Sequence, residues 1–506
     1  MGNCSDKLET RQVNLGAILS YVLIILSSLY SFVITPYMLG TIGASEYGVY
    51  KIIGSMTTTL AVLDLGLGST VQRFLAKYRA QKEIKKCYNF SAMSLMQAVI
   101  IALLMIVIGF FLFFSIEPMY SKSFTVIEIA RAKQIYILLI ICTVLHVFEN
   151  VLFGIISGYN KFIFTNSFKI SGIFIKSILY LVILPIYKNS VAIVLISLLI
   201  ESLTIIVEYL YMVLILHHKI KLYFWDSVVF KESLAYTMLM FVQAIIIQLN
   251  GNIDNIVIGA VIGTGAVSVY SFALQIFNMY EQCATSISGV ILPSVTNMIY
   301  GGASTRDLES FVIKYGRFQW MVLGAVLGGF ICFGKEFFAV WLGPGFEDCY
   351  YLSLILIIPV TFPLVVNVCL AILKAKNMLK FRTIALAYSA VLNLIFTIIG
   401  TRIWGYWAAA VGTALSTIVS GVISLNVYYS IKLRMNMINI YFKILGKVTF
   451  ALLIPCISAI YLNNLIGGSW LTLILKIALF LTIYGIIIFV IMFSKKKISL
   501  FRGGKK

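Results

Sequence analysis

Apolar runs of about twenty residues or more, parted by short polar stretches, recur from one end of the chain to the other. Each is long enough to cross roughly 30 Å of hydrocarbon at about 1.5 Å of rise per helical residue. The pattern predicts fourteen spans, over about residues 14–39, 48–76, 89–114, 134–157, 166–186, 190–216, 234–261, 269–299, 318–342, 350–373, 382–400, 405–430, 444–463 and 470–493. The fold class is therefore an all-α polytopic membrane protein. No polar stretch between spans could form a sizeable aqueous domain, so function must reside in the helix bundle.

Composition agrees with that reading. Of 506 residues, 61% are hydrophobic and only 11% charged, and the mean hydropathy is +0.99. A net charge of +20 raises the question of nucleic acid. The basic residues, however, sit in short inter-span loops and offer no separate face that could track phosphates. Taking the loops as alternating sides, one side and its tail hold 29 of the 39 basic residues and the other holds seven. The positive-inside rule then expects both termini in the cytoplasm, as an even span number requires. The eight cysteines are scattered without a CxxC pair, and His146, His217 and His218 do not compose a metal site. Neither a metal nor a bound cofactor is expected.

Internal repetition follows. The segment leading through Glu46-Tyr47-Gly48-Val49-Tyr50 into span two resembles that leading through Val267-Ser268-Val269-Tyr270 into span eight, 220 positions later. The closing segments of spans four and ten, around Asn160 and Asn377, are 217 positions apart. Two pairs at nearly one offset predict two parallel six-helix lobes, an arrangement that secondary transporters build around a midplane site. The expected division is 1–216 for the N-terminal lobe, 217–233 for a cytoplasmic linker, 234–430 for the C-terminal lobe, and 431–506 for two added helices with a basic tail.

Chemistry is sought among ionisable groups inside spans, where they are expensive. The stretch Asp64-Leu65-Gly66-Leu67-Gly68 puts a carboxylate and two glycines inside span two. The glycines suit close helix packing, and Asp64 suits either a hydrogen-bonded structural role or a cavity. Lys176, near the middle of span five, could meet a phosphate as a point charge, pair with Glu149 or Asp64, or snorkel to an interface. Asp64, Glu149 and Glu281 are candidates for proton or cation coupling, the alternative being helix–helix hydrogen bonds. On the repeat, Asn150 corresponds to Asn367 and Lys176 to Asn393, which adds both asparagines to the cavity candidates. Asp254 and Asn250, in the polar stretch at the end of span seven, and Arg73, near a helix end, are gate or coupling candidates. Arg73, Glu201, Glu208 and Lys476 also suit snorkelling or packing. No GxxxxGK[ST] loop, nucleophile elbow or HExxH helix occurs, so transport is expected rather than catalysis.

The Asp64–Phe74 and Pro36–Tyr50 segments, Ile253-Asp254-Asn255 with Gly259 and Tyr270-Ser271, and Pro293 together resemble the polysaccharide-repeat-unit flippases. These belong to the multidrug/oligosaccharidyl-lipid/polysaccharide exporter superfamily, and the similarity covers about residues 12–430 and, more weakly, the last two spans. The resemblance implies two lobes in the bacterial inner membrane that translocate undecaprenyl-pyrophosphate-linked sugar units by alternating access, for O-antigen, capsule or exopolysaccharide. It also implies coupling to H+ or Na+, membrane lipids as partners and a polymerase as a further one. Same-architecture alternatives are a multidrug or cation antiporter, marked by clustered acidic residues and no cavity lysine, and a peptidoglycan-precursor flippase, marked by a more basic first lobe. A nucleic-acid partner is not expected.

Overall fold

The computed structural model describes residues 2–64, 66–227, 251–289, 301–376, 378–465 and 468–502, with isolated positions in the intervals between them. All regular structure among the described residues is helical. Eleven of these stretches are long and apolar enough to cross a membrane. The first, Leu26–Arg79, holds the expected spans one and two together. Most of the seventh span lies outside the described residues, as do Asn250, Asn377 and Pro293.

The chain divides into two compact units, Met1–Ser268 and Val269–Lys506. The first comprises α1 (Gly2–Ala61), α2 (Leu67–Ala80), α3 (Ile84–Tyr120), α4 (Val126–Gly158), α5 (Phe162–Ile183), α6 (Ser190–Leu210) and α7 (251–261). Helix α8 (Thr264–Gly289) begins in it. The second unit continues through α9 (Thr305–Leu342), α10 (Asp348–Val365), α11 (Val368–Ala375), α12 (Lys380–Trp404), α13 (Tyr406–Thr417) and α14 (Leu425–Lys432). It closes with α15 (Met437–Leu465) and α16 (Trp470–Arg502). Its core joins Trp320, Leu323 and Phe333 of α9 to Leu364 and Val365 of α10, Ile444 and Leu452 of α15, and Phe480 of α16.

Two expectations about the first unit need correction. Spans one and two, expected to be parted by a loop, are parted by a kink instead: the backbone leaves the helical region at Gly43 (φ 83, ψ 165), so Gly2–Ala61 is two helices that meet there. Lys51, near the start of expected span two, sits within the helix. Span two is not continuous either. The helix tightens into a 3-10 turn at Val62–Asp64, and the chain turns at Gly66 (φ 65, ψ 33) before α2 starts. That left-handed conformation is why a glycine is found there. Gly66 is thus a helix break; close packing is the use of Gly68, where a Cβ would lie 2.8 Å from the Asn150 carbonyl oxygen, and of Gly154 of α4, where it would lie 2.6 Å from the Gly68 carbonyl oxygen and 2.8 Å from Val71 Cβ.

Outward faces are apolar, as contact with lipid demands. On α3, Ile100, Leu103, Phe110, Phe111 and Phe114 are all more than half exposed. At one end of the first unit, two glutamates collect chain segments that are distant in sequence. The Glu128 carboxylate accepts hydrogen bonds from the hydroxyls of Ser45, Thr125 and Thr264 and from the Thr125 N–H. Glu46 accepts from Arg131 Nε at 3.3 Å and from both the N–H and hydroxyl of Ser190. Nearby, Ser123 donates to the Gly259 carbonyl at 2.9 Å and Ser268 to that of Ala44 at 2.7 Å.

Candidate functional site

The break in span two gives Asp64 its place. Freed from the helix at the end of the 3-10 turn, its carboxylate turns to α4, where Asn150 Nδ2 donates to Oδ2 at 2.8 Å. The other oxygen, Oδ1, is buried without a hydrogen-bond partner among the described residues. Beside Asn150, the carboxylate of Glu149 is 4% exposed and receives two cations. His146, one turn earlier on α4, approaches it with Nδ1 at 2.7 Å, and Lys169 of α5 brings Nζ to 3.7 Å. The same His146 nitrogen lies 2.9 Å from Glu201 Oε1 on α6. One Nδ1–H is therefore shared by two carboxylates, and the ligand atoms of His146, Glu149 and Glu201 all lie within 4.8 Å of one another. Glu208, two turns along α6, is 1% exposed with Oε2 unpartnered, and it feels the charges of Glu149, Lys169 and Glu201. Three helices thus converge on a nest of acid groups with one histidine and one lysine. Such a nest can take up and release a proton or a small cation, because removing the His146 proton leaves its acceptors facing one another.

A second cluster of the same unit is cationic. Lys51 Nζ lies 5.2 Å from the Tyr47 ring centroid and interacts with Tyr50, while Lys176 Nζ lies 5.8 Å from the Tyr180 ring. Between the lysines the phenols of Tyr30, Tyr50 and Tyr180 interact with one another, and Tyr180 also meets Ser197 Oγ at 3.3 Å. Among the described residues neither lysine has a carboxylate within 4.0 Å, although the field of Glu201 reaches Lys176. Two unneutralised ammonium groups flanking phenol hydroxyls, inside membrane helices, suit a polyvalent anion.

Of the other sequence candidates, Arg73 is exposed on α2. Asp254 is buried on α7, where the adjacent Asn255 donates to Ser55 Oγ at 3.2 Å. Asn250 lies outside the described residues. In the second unit, Glu281 of α8 is under the influence of Arg382 of α12. Asn393 is fully buried and accepts from Thr413 Oγ1 at 3.2 Å, tying α12 to α13, and Asn367 sits in the turn that ends α10.

The lysine beside Glu149 is Lys169, near the start of expected span five, not Lys176. His146 and Glu201 acquire their meaning only when α4 and α6 are side by side. Their shared 3.6-residue phase is the one signal that could have found them, since His146 and Glu149 are three apart on one helix face. Lys476, read as snorkelling or packing, is 3% exposed and ion-paired with Glu336 at 2.8 Å. His218, just beyond the α6 end, is also buried. Ser91 gives its hydroxyl proton to the Cys87 carbonyl, so it must accept from His218 Nε2 at 2.9 Å, and Nδ1 then accepts from the Tyr159 hydroxyl at 2.9 Å. Burial pushes this imidazole down to about 4 from its ordinary 6.5.

Solved structures share this fold. A lipid II flippase, MurJ, in an inward closed conformation matches with a TM-score of 0.71 at 17% identity, covering 95% of this chain and 99% of that one. An inward-facing multidrug resistance MATE transporter of the MOP superfamily matches at 0.63 and 16% identity, over 81% and 94%. A MOP superfamily transporter from Pyrococcus furiosus matches at 0.54 and 17% identity, over 85% and 96%. No curated protein sequence matches. Apolar helices, charges buried among them and this shared architecture define the class: a multi-pass helical membrane protein with the fold of these transporters. Within that class, the chain belongs to the family described as polysaccharide biosynthesis protein, which matches residues 15–299.

Proposed function

We propose that the protein flips polyprenyl-pyrophosphate-linked oligosaccharide units across the bacterial inner membrane, by alternating access and at the expense of an H+ or Na+ gradient. The observation that carries this reading is the pair of lysines, Lys51 and Lys176, held around a tyrosine cluster inside the first unit with no carboxylate partner among the described residues. A pyrophosphate needs more than one cation, and a hydrophilic sugar needs hydroxyl partners; both are offered in one place. The separate nest around His146, Glu149 and Glu201 suits the coupling ion. Membership of a polysaccharide biosynthesis family agrees with a sugar cargo and with a polymerase as the next partner.

A multidrug or cation antiporter is the second reading, favoured by that same acidic nest in one unit. The two lysines weigh against it, because an organic cation would be repelled by both.

Complementation tests the choice. Expressed in a bacterium lacking its own repeat-unit flippase and making a matched sugar unit, the wild type restores surface polysaccharide. Lys51→Ala and Lys176→Ala each lower it by about tenfold or more at equal membrane abundance, the loss of one charge-assisted contact being worth roughly 1.5–3 kcal/mol. Undiminished polysaccharide in both variants would remove the lysines from the mechanism. Drug resistance conferred without polysaccharide would favour the antiporter.

A further inference from the structure

The second unit holds a polar cavity of about 490 Å³ where α9, α10, α15 and α16 meet, lined by Lys335, Glu336, Tyr350, Asn463, Gly468 and Lys476. Its internal pairing leaves a remainder. Glu336 is spoken for at both oxygens: Oε2 by Lys476 at 2.8 Å and Oε1 by the Gly468 N–H at 3.4 Å. Lys335 is left as an uncompensated cation, its Nζ 4.9 Å from the Tyr351 ring and 5.8 Å from that of Tyr350, with no carboxylate within 4.0 Å among the described residues. Asn463 donates Nδ2 to the Cys332 carbonyl at 2.7 Å, but its Oδ1 is buried with no donor among the described residues. The cavity therefore presents one net positive charge and one unfilled acceptor. Ile331, at the edge of the cavity, is exposed, as are Ile460 and Tyr461 of α15 and Leu471 and Leu475 of α16, the helices that carry Asn463 and Lys476.

We infer that this cavity binds the headgroup of an anionic glycerophospholipid that carries a free hydroxyl, as phosphatidylglycerol does. The phosphodiester charge answers Lys335, the glycerol hydroxyl donates to Asn463 Oδ1, and the acyl chains lie on the apolar rim. Zwitterionic headgroups bring a second charge that Lys335 opposes. The site is independent of the transport reading; α9 and α10 supply Lys335, Glu336 and Tyr350, and the last two helices with the turn between them supply Asn463, Gly468 and Lys476.

Native mass spectrometry of the full-length protein, exchanged with dioleoyl forms of phosphatidylglycerol, phosphatidylmethanol or phosphatidylcholine, tests the assignment without a transport assay. The wild type is expected to retain phosphatidylglycerol best, then phosphatidylmethanol, which has the charge but no hydroxyl. Lys335→Gln, at an exposed position, should weaken both anionic lipids by about fivefold, as expected for one charge-assisted contact. Asn463→Ala should remove only the preference for phosphatidylglycerol over phosphatidylmethanol. Displacement of bound lipid by millimolar glycerol phosphate would keep the chemistry and assign it to a soluble anion. Equal retention of phosphatidylglycerol and phosphatidylcholine, or retention indifferent to Lys335→Gln, would overturn it.

Discussion

A histidine that is kept neutral by its surroundings makes stability depend on pH. His218 sits between Ser91 and Tyr159 with its ring edge-on to Tyr88, and its protonation is driven from 6.5 down to about 4 by burial. In the unfolded chain it takes a proton near pH 6.5; in the folded one it does so only near pH 4. Its contribution is thus complete above pH 6.5 and is lost as pH falls from 6.5 to 4, by up to about 3 kcal/mol. Thermal unfolding in detergent should show the wild type losing stability across that window. His218→Phe, which keeps a ring but no titrating nitrogen, should be less stable at pH 7.5 and flatter below it; an equal slope in both would exclude His218 as the cause. At this scale the sequence told part of the story. Asp64 and Glu149 stood out because a carboxylate in an apolar run is costly whatever surrounds it. Lys51, Lys169 and His218 did not, because a charge near a span end reads as a loop residue until the helix boundary is known.

At the scale of elements, the pattern of apolar runs located the helices well, since hydrocarbon thickness fixes their length and leaves little else to decide. It could not locate the interruptions. Hydropathy continues unbroken through Asp64 and Gly66 while the backbone does not, and Gly43 marks a bend where a loop was expected. Glycine has two uses here, a left-handed turn at Gly66 and a close approach at Gly154, and composition does not distinguish them. The second use is testable. At Gly154 an added side chain meets the Gly68 backbone oxygen and Val71, neither of which can retreat as a flexible chain end would. Gly154→Val should therefore push α4 from α2 and cost about 1–3 kcal/mol, as overpacking does. It should also loosen the Asn150–Asp64 hydrogen bond that bridges the same two elements. An unchanged melting temperature would show that the pair of helices has room to part.

Taken as a whole molecule, the protein separates its charges by sign within the first unit: a cationic cluster with tyrosines, and an acidic nest with His146 and Lys169. If cargo and coupling ion use different clusters, their losses should be separable. In proteoliposomes with the lipid-linked sugar, Glu149→Gln should abolish acceleration by an imposed H+ or Na+ gradient while leaving gradient-free equilibration near the wild-type rate. Lys176→Ala should slow both. Loss of both activities in Glu149→Gln would merge the two clusters into one site. The sequence foresaw this division only in outline, through buried charges of both signs, because partners such as Glu149 and Lys169 are brought together by tertiary packing alone.

Glu128 acts as a rivet more than as a hydrogen-bond acceptor. One carboxylate pins the start of α4, the corner after Gly43 and the first residue of α8. Parts fastened at a single point do not peel away one by one. They stay together or come apart together, so the three segments that meet at Glu128 are expected to move as one body.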